Sequence, residues 1–164
     1  VGLAHYDPLQ EGLGVLAEFL AGYLPLARLK VLAARVVAVD LAIHGEGVPA
    51  IFDLLHNTHA LPTDEAFDVA IRALRGGGLT KDAVYLGGLR DLVDYLHGGG
   101  AFEPLFVGKF ALTHQVVLEQ LVDEGWVAAP DLLPRYCTLP DFDARLARCR
   151  DTPIAELFQK EPAQ

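Results

Sequence analysis

Apolar residues recur along this chain at the spacing of one helix face, and that periodicity leaves little room for a sheet. The series Leu9, Leu13, Leu16, Leu20 and Tyr23 steps by four, three, four and three. A helix is therefore expected from about Leu9 to Leu24, stopped by Pro25. A second is expected behind Pro25 to near Gly45, with Leu29, Leu32, Val36, Val39 and Ile43 inward. A third, shorter one covers Val48 to about His56. Thr63, with Asp64 and Glu65 behind it, opens a fourth whose inward residues are Phe67, Ala70, Ile71 and Leu74. Thr80 caps a fifth, striped by Tyr85, Leu89, Leu92 and Leu96. Gly87 and Gly88 within it mark a close backbone approach, because a glycine inside a helix otherwise costs roughly 1 kcal/mol against alanine.

Beyond Pro104 the pattern weakens. Leu105 to Val107 fits either a short strand or an apolar helical turn. Thr113 to Gly125 reads as a helix burying Val116, Val117, Leu121 and Val122, and Trp126 reads as core. Pro130, Pro134, Pro140 and Pro153 then cut the chain into short pieces, and the tail after Phe158 reads as frayed. The expected fold class is all-α (mainly helical), in a single partial domain.

Charge and composition narrow the function classes. Twenty-two acidic residues against thirteen basic ones give a formal charge of −9, which repels phosphate backbones and argues against a nucleic-acid partner. The longest stretch without Asp, Glu, Lys or Arg is Leu54 to Thr63, ten residues, against the ~18 that a spanning helix needs. No membrane partner is expected. The chain contains no Met and is 52% hydrophobic. Both features suggest the C-terminal part of a longer protein, whose missing N-terminal part would cover some of that apolar surface. Cys137 and Cys149 stand twelve apart, without a CxxC or a histidine cluster. They read as reduced thiols of a cytoplasmic protein.

Two stretches offer polar chemistry. Arg75 to Tyr85 places three glycines before Thr80 and Lys81 at a helix start. Free backbone N–H groups, the positive end of the helix dipole and two side-chain cations can together hold an anion there. The spacing is not that of a P-loop. A glycine C-cap, a threonine N-cap and an exposed lysine describe the same residues equally well. The other stretch holds Glu11, which by spacing alone is a solvated or capping carboxylate at the start of the first helix. Glu18 lies two turns further along, and His5 and Tyr6 precede it in a loop. His56 and His59 form a pair without a third ligand.

The opening VGLAHYDPLQEGLGVLAEFLAG resembles the QEGLA-motif family, whose animal members are microtubule-associated tyrosine carboxypeptidases. RLKVLAARVVAVD from Arg28, RGGGLTKDAVYLGGL from Arg75 and LFVGKFA from Leu105 are similar to the same family, in the same order. The resemblance implies a zinc peptidase in which a helix carrying His-Glu-x-x-x-His supplies two ligands and the general base, and the Glu of Gln-Glu-Gly-Leu is the third ligand. That Glu is Glu11 here. The motif's last residue is Gly14 rather than Ala, and this chain has no His-Glu pair, so the remaining zinc ligands are expected upstream of Val1. The implied activity is that of a metallocarboxypeptidase-like hydrolase, which cleaves the C-terminal bond of a peptide or protein with metal-activated water and is inactive as this fragment. Arg75, Thr80 and Lys81 are then expected to grip the substrate carboxylate, and Tyr85 to donate a hydrogen bond to the cleaved carbonyl. The alternative is a non-catalytic helical interaction or regulatory module that has lost the metal.

Overall fold

The computed structural model describes residues 2–75 and 80–158. Among them eight α-helices occur and no strand; the single β-bridge joins Gly2 and Lys109. The helices are α1 (Asp7–Leu20), α2 (Leu26–Ile43), α3 (Val48–Asp53), α4 (Thr63–Leu74), α5 (Lys81–His97), α6 (Gln115–Asp123), α7 (Phe142–Asp151) and α8 (Ile154–Leu157). None of them is long and apolar enough to cross a membrane. Contacts divide the chain into two compact units, Pro25–Leu86 and the pair of segments Val1–Leu24 and Gly87–Gln164.

In the unit formed by the two ends of the chain, α1 begins just before its apolar series, with Asp7 and Pro8 in its first turn. It ends at Leu20 rather than at Pro25, because Gly22 adopts a left-handed φ of +80°. Tyr23 N–H then donates to Glu18 O at 2.8 Å, closing the helix C-terminus. Tyr23 consequently leaves the stripe and is 77% exposed, while Leu9, Leu13, Leu16 and Leu20 are buried. The C-terminus of α1 also accepts a hydrogen bond from Arg145 of α7, Nη1 to Leu20 O at 3.2 Å. Leu89, Leu92 and Leu96 of α5 are fully buried, as their stripe requires. Leu105 lies in a 3-10 turn, Glu103–Phe106, so this segment is helical and not a strand. Phe102 stacks edge-on against Phe142 at 5.5 Å.

Helix α6 departs from expectation. It is short and turns Gln115 and Leu118 inward, leaving Val116 67% and Val117 57% exposed. Trp126 is exposed rather than core, since the chain leaves α6 through Gly125 at φ +76°.

In the unit Pro25–Leu86, α2 packs on α4, and α3 packs on both. Ala34 and Ala38 of α2 meet a face of α4 made of Ala66, Val69, Ala70 and Ala73. Ala70 is buried as expected, but the face of α4 is rotated away from the larger residues expected inward. Phe67, Ile71 and Leu74 are partly or largely exposed, and Ile43 at the end of α2 is exposed as well. Small residues on both helices allow close approach, so the larger side chains stay outside the contact. Beyond α3 the backbone widens into one π-helical turn, Leu54–Thr58. His56 Nδ1 lies 2.8 Å from Leu61 O across that turn, and its ring stacks on Phe52.

Candidate functional site

Glu11 sits half-buried on α1, directly before a close backbone contact within its unit. Gly12 of α1 and Gly88 of α5 approach so closely that a Cβ on Gly12 would meet the Gly88 backbone. A Cβ on Gly88 would meet the Pro8 carbonyl. The glycine of Gln-Glu-Gly-Leu thus fixes where α1 crosses the second half of α5, and with it the position of Glu11. Gly14 and Gly87 face open space and serve no such contact.

Near the start of α1, His5 takes a left-handed φ of 59° and is exposed. With Pro8, Leu9, Gly88 and Asp91 it lines a pocket of about 270 Å³. Tyr6 carries the Lys109 ammonium 5.2 Å from its ring centre, while Leu3 N–H donates to Lys109 O at 2.8 Å. The Lys109 segment therefore holds the strand-like start of the chain beside α1. Among the described residues no group of three His, Cys, Asp or Glu converges as a metal site. A catalytic zinc needs three protein ligands, so these residues alone do not fit it. Glu11 is at most one ligand.

The other candidate residues belong to the unit Pro25–Leu86. The triple glycine and Leu79 lie outside the described residues. Thr80 and Lys81 are exposed, and Thr80 O accepts from Ala83 N–H at 3.1 Å as α5 starts. Arg75 is exposed and lines a pocket of about 460 Å³ together with Arg72 of α4, Arg35 of α2 and the apolar side chains of Val31 and Val69. Tyr85 is half-buried, with the Arg35 guanidinium 6.0 Å from its ring centre. The structure thus brings Arg75 and Tyr85 each into the neighbourhood of Arg35, a residue outside the expected site.

Two further residues complete this cluster. Asp82 is buried, only 8% exposed, and accepts from Arg72 Nε at 2.6 Å. That hydrogen bond, ahead of all other effects, raises the Arg72 pKa. Arg35 is pushed the other way, first by burial and then by the charge of Arg72. Its Nε is buried and has no hydrogen-bond partner among the described residues. A signal for Arg35 was present in the sequence, because it is the one cation inside the otherwise apolar run Val31 to Val39.

A search of curated proteins found no significant match, and neither did a search of solved structures. The model of one family, described as microtubule-associated tyrosine carboxypeptidase, matches residues 1–152. That span covers most of the chain, including Glu11 and all the residues of the cationic cluster, so the chain belongs to the microtubule-associated tyrosine carboxypeptidase family.

Proposed function

We propose that this chain supplies part of the site of a zinc-dependent carboxypeptidase acting in the cytoplasm on the C-terminus of a peptide or protein. The observation that carries the reading is the family match over residues 1–152. Within it, Glu11 is the chain's contribution to a zinc site whose two histidines and general base lie in a His-Glu-x-x-x-His segment ahead of it. Among the described residues no three His, Cys, Asp or Glu converge on a metal, and on this reading the 164 residues alone are inactive. Zinc, when bound by the complete site, supplies Lewis acidity for peptide hydrolysis.

What this chain's residues do is bind and orient. The crossing of Gly12 and Gly88 holds Glu11 in place. Arg75, Thr80 and Lys81 supply positive charge and backbone donors to the terminal carboxylate of the substrate, and the Tyr85 hydroxyl donates to the carbonyl of the bond that is cut. The family is named for tyrosine; the terminal residue that this protein removes is read from the peptide library below.

The test compares the 164-residue chain with one extended upstream through the His-Glu-x-x-x-His segment, each with Glu11 intact or changed by Glu11→Gln. The extended chain is expected to bind one zinc and to release the last residue of a peptide library, read by mass spectrometry. Glu11→Gln removes both, and the short chain shows neither. Stoichiometric zinc that survives Glu11→Gln in the long form removes Glu11 from the ligand set. Zinc-replete long chain without any peptide release favours the non-catalytic module.

A further inference from the structure

We propose that Arg35 is the anion receptor of the pocket between α2 and α4, and that its occupant is the free carboxylate of a peptide ending in an apolar residue. Arg35 Nε is shut away from water without a hydrogen-bond partner among the described residues, and buried polar groups are seldom left so. The one buried carboxylate of the cluster, Asp82, is engaged by Arg72 Nε at 2.6 Å. Arg35 therefore carries a half-buried charge that Asp82 offsets only through space, with no hydrogen bond to Nε. The Tyr85 ring, 6.0 Å from the guanidinium carbon, shields one side of it. Burial and the neighbouring arginines act against its charged form, a cost that an incoming anion offsets.

The shape of the site narrows the anion. Its volume, about 460 Å³, falls within the ~300–1,000 Å³ of small-molecule sites. Val31 and Val69 offer an apolar wall beside the guanidinium. A carboxylate joined to an apolar side chain satisfies both, and a small turn of the flexible Arg35 side chain presents Nε and one Nη together to the two oxygens. Glu65 and Asp68, both exposed, also line the pocket. They repel any anion, and a multiply charged one such as phosphate more than a singly charged one.

The peptide origin of the carboxylate rests on the carboxypeptidase reading; binding itself does not. The probes are N-acetyl-L-phenylalanine, its carboxamide and inorganic phosphate, titrated into the full 164-residue chain by calorimetry and by the NMR signal of the Arg35 Nε–H. The acid is expected to bind and to shift that signal, and the carboxamide to bind at least tenfold more weakly. Arg35→Gln should weaken the acid by about tenfold or more without changing the carboxamide, and Arg35→Lys should restore part of the loss. The Nε–H shift in the unsubstituted protein needs no variant, so a misfolded Arg35→Gln leaves a decision in hand. Equal binding of acid and carboxamide, an unmoved Nε–H signal, or phosphate binding as tight as the acid each overturn the proposal. Acid binding with no peptide release by the extended chain would sink the enzymatic reading and leave this inference standing.

Discussion

Arg72 Nε donates to Asp82 Oδ2 at 2.6 Å, and this bond ties α4 to the first turn of α5 across the segment 76–79. Asp82 is nearly buried while Arg72 remains partly exposed. The pair is thus neither a surface ion pair of negligible worth nor a fully desolvated one. Arg72→Ala leaves the carboxylate inside with no guanidinium. Asp82→Ala leaves Arg72 and Arg35 facing each other without their shared counter-charge. Each change is expected to lower stability by about 1–3 kcal/mol, read from the urea midpoint. Joined as a double substitution they should cost less than their sum, since the second removes the charge that the first orphaned. Strict additivity would show that the bond does not operate in solution.

The four helical glycines separate into two pairs with opposite expected outcomes. Gly14 and Gly87 face open space, so Gly14→Ala and Gly87→Ala each gain helix propensity and should raise stability by about 0.5–1 kcal/mol. Gly12 and Gly88 meet backbone where their Cβ atoms would stand. Gly12→Ala and Gly88→Ala force α1 and α5 apart and should cost about 1–3 kcal/mol net of the propensity gain. Thermal melts of the four variants give the test, and a stable Gly12→Ala would refute the close crossing.

The all-α class was legible because the leucine stripes of α1 and α5 each have a single apolar face of large side chains. The wrong face of α4 has a specific cause. That helix is apolar at Ala66, Phe67, Val69, Ala70, Ile71, Ala73 and Leu74, so more than one face qualifies. Size favours Phe67, Ile71 and Leu74, yet Ala34 and Ala38 of α2 demand a partner face of small residues. Only tertiary contact resolves that choice. Gly88 was readable as a close approach because a mid-helix glycine calls for a reason, whereas the partner, Gly12, became visible only in the crossing. The cationic cluster stayed hidden because Arg35, Arg72 and Asp82 come from three helices, and sequence spacing does not show which of them pair.

Cys149 supplies an alkaline signature. It is fully buried and, chiefly by burial, its pKa is pushed up from 9.0 to about 12. The unfolded chain gives up this proton first, so the folded state holds more protons between those values. Stability is then fully present below about pH 9 and falls as pH rises toward 12, by at most ~1.4 kcal/mol per pH unit from this thiol. Burial raises Tyr136 as well, and its phenol steepens the fall above pH 10. Cys149→Ala should flatten part of the slope after an initial loss of about 1–2 kcal/mol at neutral pH. A thiol reagent should modify half-buried Cys137 in the native protein and reach Cys149 only on unfolding. Urea titrations from pH 8 upward, with and without the substitution, decide the point.

Trp126 gives the last test, because it is the sole tryptophan of the chain and is 77% exposed. The indole follows Gly125 at the end of α6, and its backbone N–H donates to Leu121 O at 2.8 Å, so the backbone is fixed while the ring faces water. Native fluorescence should therefore resemble that of a solvated indole, be quenched freely by acrylamide, and change little on unfolding. Trp126→Gln removes little buried area and should leave stability within about 0.5 kcal/mol of the parent. A blue-shifted, protected emission would show that the ring is covered in solution. If that protection disappears on dilution, a second copy of the chain covers it; if it persists at every concentration, the ring packs within its own chain and the conformation after Gly125 differs from the one described.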